Sequence, residues 1–180
     1  SSDAAAVLVG LNTLWQLGLD NDALATLGAQ LGSDVPLFMG PAGLQMTGRG
    51  ECIEPLAIHP FAVLLVMPDL HCSTAAVYAE YDRQPVELAE QLAASDWAEP
   101  VASWRDRLHN DLATPAGRVE PKLLTCRDRL AKSLGQTVHV TGSGAGLFVL
   151  CETASDAKSL WDMLPGELRA HAIVAAQNPW

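Results

Sequence analysis

Three short stretches of this sequence combine residue types that can handle a phosphate group or a hydroxyl proton. The first is Ser1-Ser2-Asp3-Ala4-Ala5, which runs into the helically spaced apolar set Ala4, Val7, Leu8, Leu11, Leu14 and Trp15. A helix start offers unpaired backbone N–H groups and a positive dipole end to an anion, and a serine hydroxyl there can reach a phosphate oxygen or a divalent cation. The same residues serve equally as a plain N-cap. The second stretch is Gly32-Ser33-Asp34-Val35-Pro36. A polar residue followed shortly by proline signals a helix start, so Asp34 is expected at a helix N-terminus, where the dipole keeps a carboxylate ionised. Such an aspartate beside a substrate hydroxyl accepts or orients its proton; a capping aspartate without chemistry fits the same pattern. The third is Thr141-Gly142-Ser143-Gly144-Ala145-Gly146. Glycines there let the backbone approach a ligand and aim N–H groups at it, although a flexible hairpin turn reads the same way. The stretch lacks the trailing Lys-Ser/Thr of a P-loop and lies between two strand patterns, unlike a dinucleotide-binding loop.

Other chemistries find little support. His59, His71, His109, His139 and His171 show no paired metal-ligand spacing, and Cys52, Cys72, Cys126 and Cys151 include no C-x-x-C. No metal-ligating residue set is therefore assigned. No serine sits in a G-x-S-x-G elbow, which argues against a hydrolase. The cysteines read as reduced, partly buried thiols.

The elements that must position these stretches follow from periodicity and breakers. Asp20-Asn21 begins a second helix with Leu24, Leu27 and Leu31 on one face, ended by Gly32. Gly40 to Gly43 is a turn, and 44–47 and 52–55 are strands around Gly48-Arg49-Gly50-Glu51. Residues 61–67 form a buried strand, 73–81 a short helix, and 121–134 an amphipathic helix ended by Gly135. Residues 138–140 and 147–151 are strands, 155–164 a helix and 172–176 a last strand. The polar, Ala-rich stretch 83–108 carries Trp97 and Trp104, is broken at Pro85 and Pro100, and is expected to form two helices whose tryptophans pack rather than bind ligand. Without that insert the second half runs β-α-β-β-α-β, a ferredoxin-like split unit. The fold class is therefore α+β, with a boundary near 57–60 that separates residues 1–58 from 59–180.

The chain has 180 residues, 49% of them hydrophobic and 18% charged, enough to bury a core. A formal net charge of -10 repels nucleic acid and anionic membranes, so neither is expected as a partner. The apolar runs 4–11 and 61–67 are too short to span a bilayer. The opening Ser1-Ser2-Asp3, without Met, reads as a cut, so no targeting signal is assessed.

Read together, the motifs resemble the GHMP kinases, and among them most closely the 4-diphosphocytidyl-methylerythritol kinases. Ser1-Ser2-Asp3-Ala4-Ala5 is similar to the family's Gly-Gly-Gly-Ser-Ser-Asx-Ala-Ala block, Leu11-Asn12-Thr13-Leu14-Trp15 to Leu-Asn-x-Leu-Trp, and Gly32-Ser33-Asp34-Val35-Pro36-Leu37-Phe38 to Gly-Ala/Ser-Asp-Val-Pro-Phe-Phe. Ser73-Thr74-Ala75-Ala76-Val77-Tyr78, Asn110-Asp111-Leu112 and Gly142-Ser143-Gly144-Ala145 follow in family order, and the spacing holds from Ser1 to about Asn178. The resemblance implies a remnant of the GHMP N-terminal, ATP-binding domain (ribosomal S5 domain 2-like) over 1–58 and a ferredoxin-like GHMP C-terminal domain over 59–180. It implies phosphoryl transfer from ATP, with Mg²⁺, to a hydroxyl of the diphosphocytidyl substrate in non-mevalonate isoprenoid synthesis. Asp34 would be catalytic, and Ser1 and Ser2 would bind ATP. Thr74, Tyr78, Gly142, Ser143, Gly144 and Ala145 would bind substrate, with Tyr78 against the cytosine. It further implies a cytoplasmic monomer or homodimer whose partners are small molecules. The family's glycines before Ser1, its catalytic lysine and its cytosine-reading residues match nothing here, so the chain is expected to be inactive alone. The alternatives are another GHMP kinase, acting on homoserine, mevalonate or a sugar, and a non-catalytic ferredoxin-like interaction module.

Overall fold

The computed structural model describes residues 1–40, 43–47, 52–85 and 92–176. They divide into two compact units, one reaching to Ile58 and the other starting at His59.

In the first unit, α1 (Ser2–Leu14) and α2 (Asn21–Ala29) are joined by a turn. Asn12 fixes that turn: its Nδ2 donates to the Leu19 carbonyl at 2.9 Å and its Oδ1 accepts from the Leu19 N–H at 3.0 Å. Asp20 caps α2 by accepting from the Ala23 N–H at 2.8 Å. The buried face of α2 is Leu24 and Gly28, and the expected Leu27–Leu31 face is not formed, because both leucines are exposed. The reason is a close approach: a Cβ on Gly28 would lie 2.9 Å from Val35 Cγ1, so the chain after α2 packs where only glycine leaves room. Ala5, Leu24, Val35 and Met39 form the small core of this unit. An antiparallel hairpin of β1 (Leu44–Thr47) and β2 (Cys52–Pro55) follows, in a register that runs from Leu44 opposite Pro55 to Thr47 opposite Cys52. The turn expected at 48–51, and Pro41-Ala42 of the turn before it, lie outside the described residues.

The second unit is built on four antiparallel strands. These are β3 (Ala62–Val66), β4 (His139–Val140), β5 (Leu147–Cys151) and β6 (Ala172–Ala176), in the order β4-β5-β3-β6. Between β3 and β4 run α3 (Thr74–Arg83), α4 (Val101–Trp104), α5 (Ala113–Val119) and α6 (Pro121–Leu134). Between β5 and β6 run α7 (Ala154–Met163) and α8 (Gly166–Arg169). This is the β-α-β-β-α-β pattern with its first strand next to the third and last, so the ferredoxin-like reading holds. Alternation along β3 and β5 turns Ala62, Leu64, Val66, Leu147 and Val149 to one face. Leu123, Leu130 and Leu134 of α6, Ala157 of α7 and Val77 of α3 pack into the same core.

The opposite face carries Val63 and Leu150, and the segment 92–108 covers it. Of the two helices expected in 83–108, the described part contains one α-helical turn, α4, between 3₁₀ turns at Asp96–Ala98 and Arg105–Arg107; residues 86–91 are not described. Trp104 is buried, with its ring 5.0 Å from Trp97 and 6.3 Å, edge-on, from Phe61. Its indole N–H is satisfied by the Glu99 carbonyl at 2.9 Å. Among the described residues no helix is long and apolar enough to cross a membrane.

Candidate active site

Asp34 lies in the first unit. The residues after it form a single 3₁₀ turn, Pro36–Met39, rather than the expected α-helix, with Val35 in the capping position. The turn ends at Gly40, and a four-residue 3₁₀ turn has little of the dipole invoked for an α-helix. The Asp34 carboxylate is exposed, and Oδ1 accepts from the Ser33 hydroxyl at 3.1 Å. Ser1 is the N-cap of α1 by position, but its side chain makes no capping bond. Among the described residues no acceptor meets the N–H groups of Ser2, Asp3 and Ala4. Ala5, one turn inside α1, shares its buried cluster with Val35, so packing draws the start of α1 and the Asp34 segment together.

In the second unit the sheet register does the positioning. Val66 at the end of β3 pairs with Leu147 at the start of β5, so the loop into α3 and the loop between β4 and β5 leave the sheet at the same end. Residues far apart in sequence consequently meet: the Thr74 and Ser143 hydroxyls are 2.9 Å apart. Ser73 caps α3 and Thr74 is its first residue, so the N-terminus of that helix opens beside the glycine loop. Tyr78, one helical turn after Thr74, is exposed, whereas its neighbour Val77 is fully buried. The aromatic ring is thus free to meet a ligand rather than being used in the core.

Within the loop, the Thr141 N–H donates to the Gly146 carbonyl and the Gly144 N–H to the Thr141 carbonyl, both at 3.0 Å. Among the described residues the N–H groups of Gly142, Ser143 and Ala145 meet no acceptor. Gly144 has φ +84, and a Cβ there would come 3.0 Å from Leu123 Cδ2 and 3.1 Å from Cys72 Sγ. A side chain there is strained by the backbone conformation and tight against the core beneath. Burial, reinforced by Glu120, pushes the Cys72 thiol above its usual range, which keeps it a neutral packing group under the loop. The result is a group of N–H donors without acceptors among the described residues, two hydroxyls and a helix N-terminus, a combination of the kind that binds phosphate groups.

Asn110 was not among the expected site residues, yet it supports this loop. Its Nδ2 donates to the carbonyls of Val140 and Gly142, each at 2.8 Å. The sequence placed Asn110 in a motif but held no sign of partners 30 and 32 positions away. The helix α5 that follows was also not expected.

Residues 1–40 match the family model of the GHMP kinases N terminal domain. The chain is 38% identical over 170 residues to a 4-diphosphocytidyl-2-C-methyl-D-erythritol kinase of Shouchella clausii, covering 92% of this chain and 57% of the relative. It is 38% identical over 178 residues to the protein of that name in Xanthomonas euvesicatoria, covering 99% of this chain and 57% of the relative. The chain is thus similar to the GHMP kinases at its start and to these kinases along nearly its whole length. A crystal structure of 4-(cytidine 5'-diphospho)-2C-methyl-D-erythritol kinase superposes with a TM-score of 0.76 at 32% identity, covering 97% of this chain and 62% of that one. The chain spans somewhat more than half the length of the relatives it matches.

Proposed function

We propose that this chain takes part in phosphorylating a hydroxyl of 4-diphosphocytidyl-2-C-methyl-D-erythritol with ATP, a cytoplasmic step of non-mevalonate isoprenoid synthesis. The observation that carries the reading is the meeting of Thr74 with Ser143 beside unpaired loop N–H groups, in a chain 38% identical to kinases of that substrate. Residues up to 58 act as part of the ATP-binding domain, and residues from 59 onward as the substrate-side domain.

In this reading, Ser1, Ser2 and the free N–H groups of α1 receive ATP phosphates. Gly142, Ser143, Gly144, Ala145 and Thr74 hold the substrate diphosphate, while the Tyr78 ring stacks on the cytosine. Base–aromatic stacking of this kind contributes about 1–3 kcal/mol. The substrate oxygen attacks the γ-phosphorus as the bond to ADP breaks, and Asp34 takes or orients the departing hydroxyl proton. Mg²⁺ needs only one or two carboxylate or hydroxyl oxygens besides the phosphates. The Ser1 hydroxyl, which makes no capping bond, could supply one such oxygen, and a cation there would neutralise charge on the transferring group.

The test is phosphoryl transfer by the full-length protein, offered the diphosphocytidyl substrate, mevalonate and homoserine in parallel. The reading expects turnover of the first alone. It further expects Asp34→Asn to lower kcat by about 10²–10⁴ with ATP affinity little changed. Turnover of mevalonate or homoserine instead would move the protein to another branch, and no turnover of any would favour an interaction module.

A further inference from the structure

We infer that Asn110 is the positioning residue that sets the glycine loop in its ligand-ready shape. This rests on the proposed reading of that loop as an anion site. The amide orientation is dictated by its surroundings: Oδ1 accepts from the Leu112 N–H at 3.0 Å, while Nδ2 faces two carbonyl oxygens, of Val140 and Gly142, at 2.8 Å each. Each of the two Nδ2 hydrogens has its own acceptor, and a flipped amide would set its oxygen against both carbonyls.

The three bonds tie together three segments: the start of α5, the end of β4 and the glycine loop. Leu112 leads into α5, Val140 ends β4, and Gly142 is the second residue of the loop. Gly142 has φ +53, and its carbonyl is held toward Asn110, so the N–H of the following peptide turns away from that side; the Ser143 hydroxyl meets Thr74 at the start of α3. Half of the loop residues are glycine, whose backbone is the least restrained, so a clamp from outside adds definition to the two hydrogen bonds the loop makes within itself.

Aspartate is the discriminating substitution. It keeps the size of Asn110, yet at neutral pH it sets a carboxylate oxygen against the carbonyls of Val140 and Gly142. Protonation restores one O–H donor, so the loop should recover as pH falls. Nuclear magnetic resonance of the intact 180-residue chain reads this directly. In Asn110→Asp at pH 7 the amide signals of Gly142, Ser143, Gly144 and Gly146 should move, while those of α6 hold. Lowering the pH toward 4 should return them toward the wild-type positions. Inorganic pyrophosphate should bind the wild type and bind the variant on the order of tenfold to a hundredfold more weakly at pH 7. Asn110→Ala, which removes the donors without adding charge, should show a smaller shift with no pH recovery; it decides the matter if the aspartate variant does not fold. Loop signals unchanged in either variant overturn the inference. Wild-type chain that ignores pyrophosphate overturns the anion-site reading, while the loop signals still decide the role of Asn110.

Discussion

Gly144 shows how much of the candidate site is fixed by a single missing side chain. Its φ of +84 is a conformation an L side chain resists, and the space above it is closed by Leu123 and Cys72. Gly144→Ala is expected to cost about 1–2 kcal/mol for the backbone and about 1–3 kcal/mol for overpacking. A fall in thermal midpoint, with matching loss of pyrophosphate binding, would be the check. The hydroxyl pair makes a softer contribution. Ser143→Ala and Thr74→Val should leave the midpoint within about 0.5 kcal/mol equivalents, since both groups are exposed. In the proposed reaction they should raise substrate KM more than they lower kcat. At this scale the sequence was legible where a residue's type is its role: Asp20 caps the helix it was expected to begin, whereas the caps Ser73 and Thr153 were not singled out. It was not legible at Asn110 or Cys72, whose roles exist only through distant partners.

The elements were readable wherever a local pattern decided them. Residues 121–134, 147–151 and 172–176 form the helix and strands expected, with Gly135 ending α6. The misreadings have tertiary causes. Leucine spacing pointed α2 toward Leu27 and Leu31, but the close approach of Val35 to Gly28 rotated the buried face. After Asp34 the proline opens a single 3₁₀ turn that ends at Gly40, not the α-helix expected there.

Two outcomes belong to single elements. Trp104→Ala removes a fully packed ring and should cost about 3–5 kcal/mol, read by chemical denaturation. His139, on the edge strand β4, stacks on Phe148 with centroids 5.2 Å apart. Burial lowers its pKa below the usual 6.5, against opposing pulls from Asp106 and the Arg105 backbone, with Arg127 adding to the lowering. The unfolded chain therefore takes the proton more readily than the folded one. Stability from this group is complete above pH 6.5 and diminishes as pH falls from 6.5 toward the folded value. His139→Phe keeps the stack and should flatten the thermal midpoint between pH 7 and pH 5.5. An unchanged slope would show that other groups carry the dependence.

At the scale of the whole molecule, the α+β class and the strand order of the second unit followed from counting strands and helices, because few topologies satisfy that sequence of elements. The first unit is less self-contained. Val7, Leu14, Trp15, Leu17, Leu31 and Phe38 are all more than half exposed. So much apolar surface should bind a hydrophobic dye such as ANS. Dye fluorescence should drop on Trp15→Ser, with secondary structure retained. Hydrogen exchange should run faster in residues 1–40 than in α6 and β5, whose side chains are buried on the sheet.

The antiparallel pairing of β3 with β5 has one more consequence. Trp97 and Trp104 sit at the Ala62–Cys151 end of that pair and the glycine loop at the Val66–Leu147 end. Five strand residues lie between, about 17 Å of backbone. Emission from those two indoles will therefore follow melting of the sheet while staying nearly blind to whatever occupies the loop. A reporter of occupancy has to be placed at the other extremity, and Tyr78 is already there.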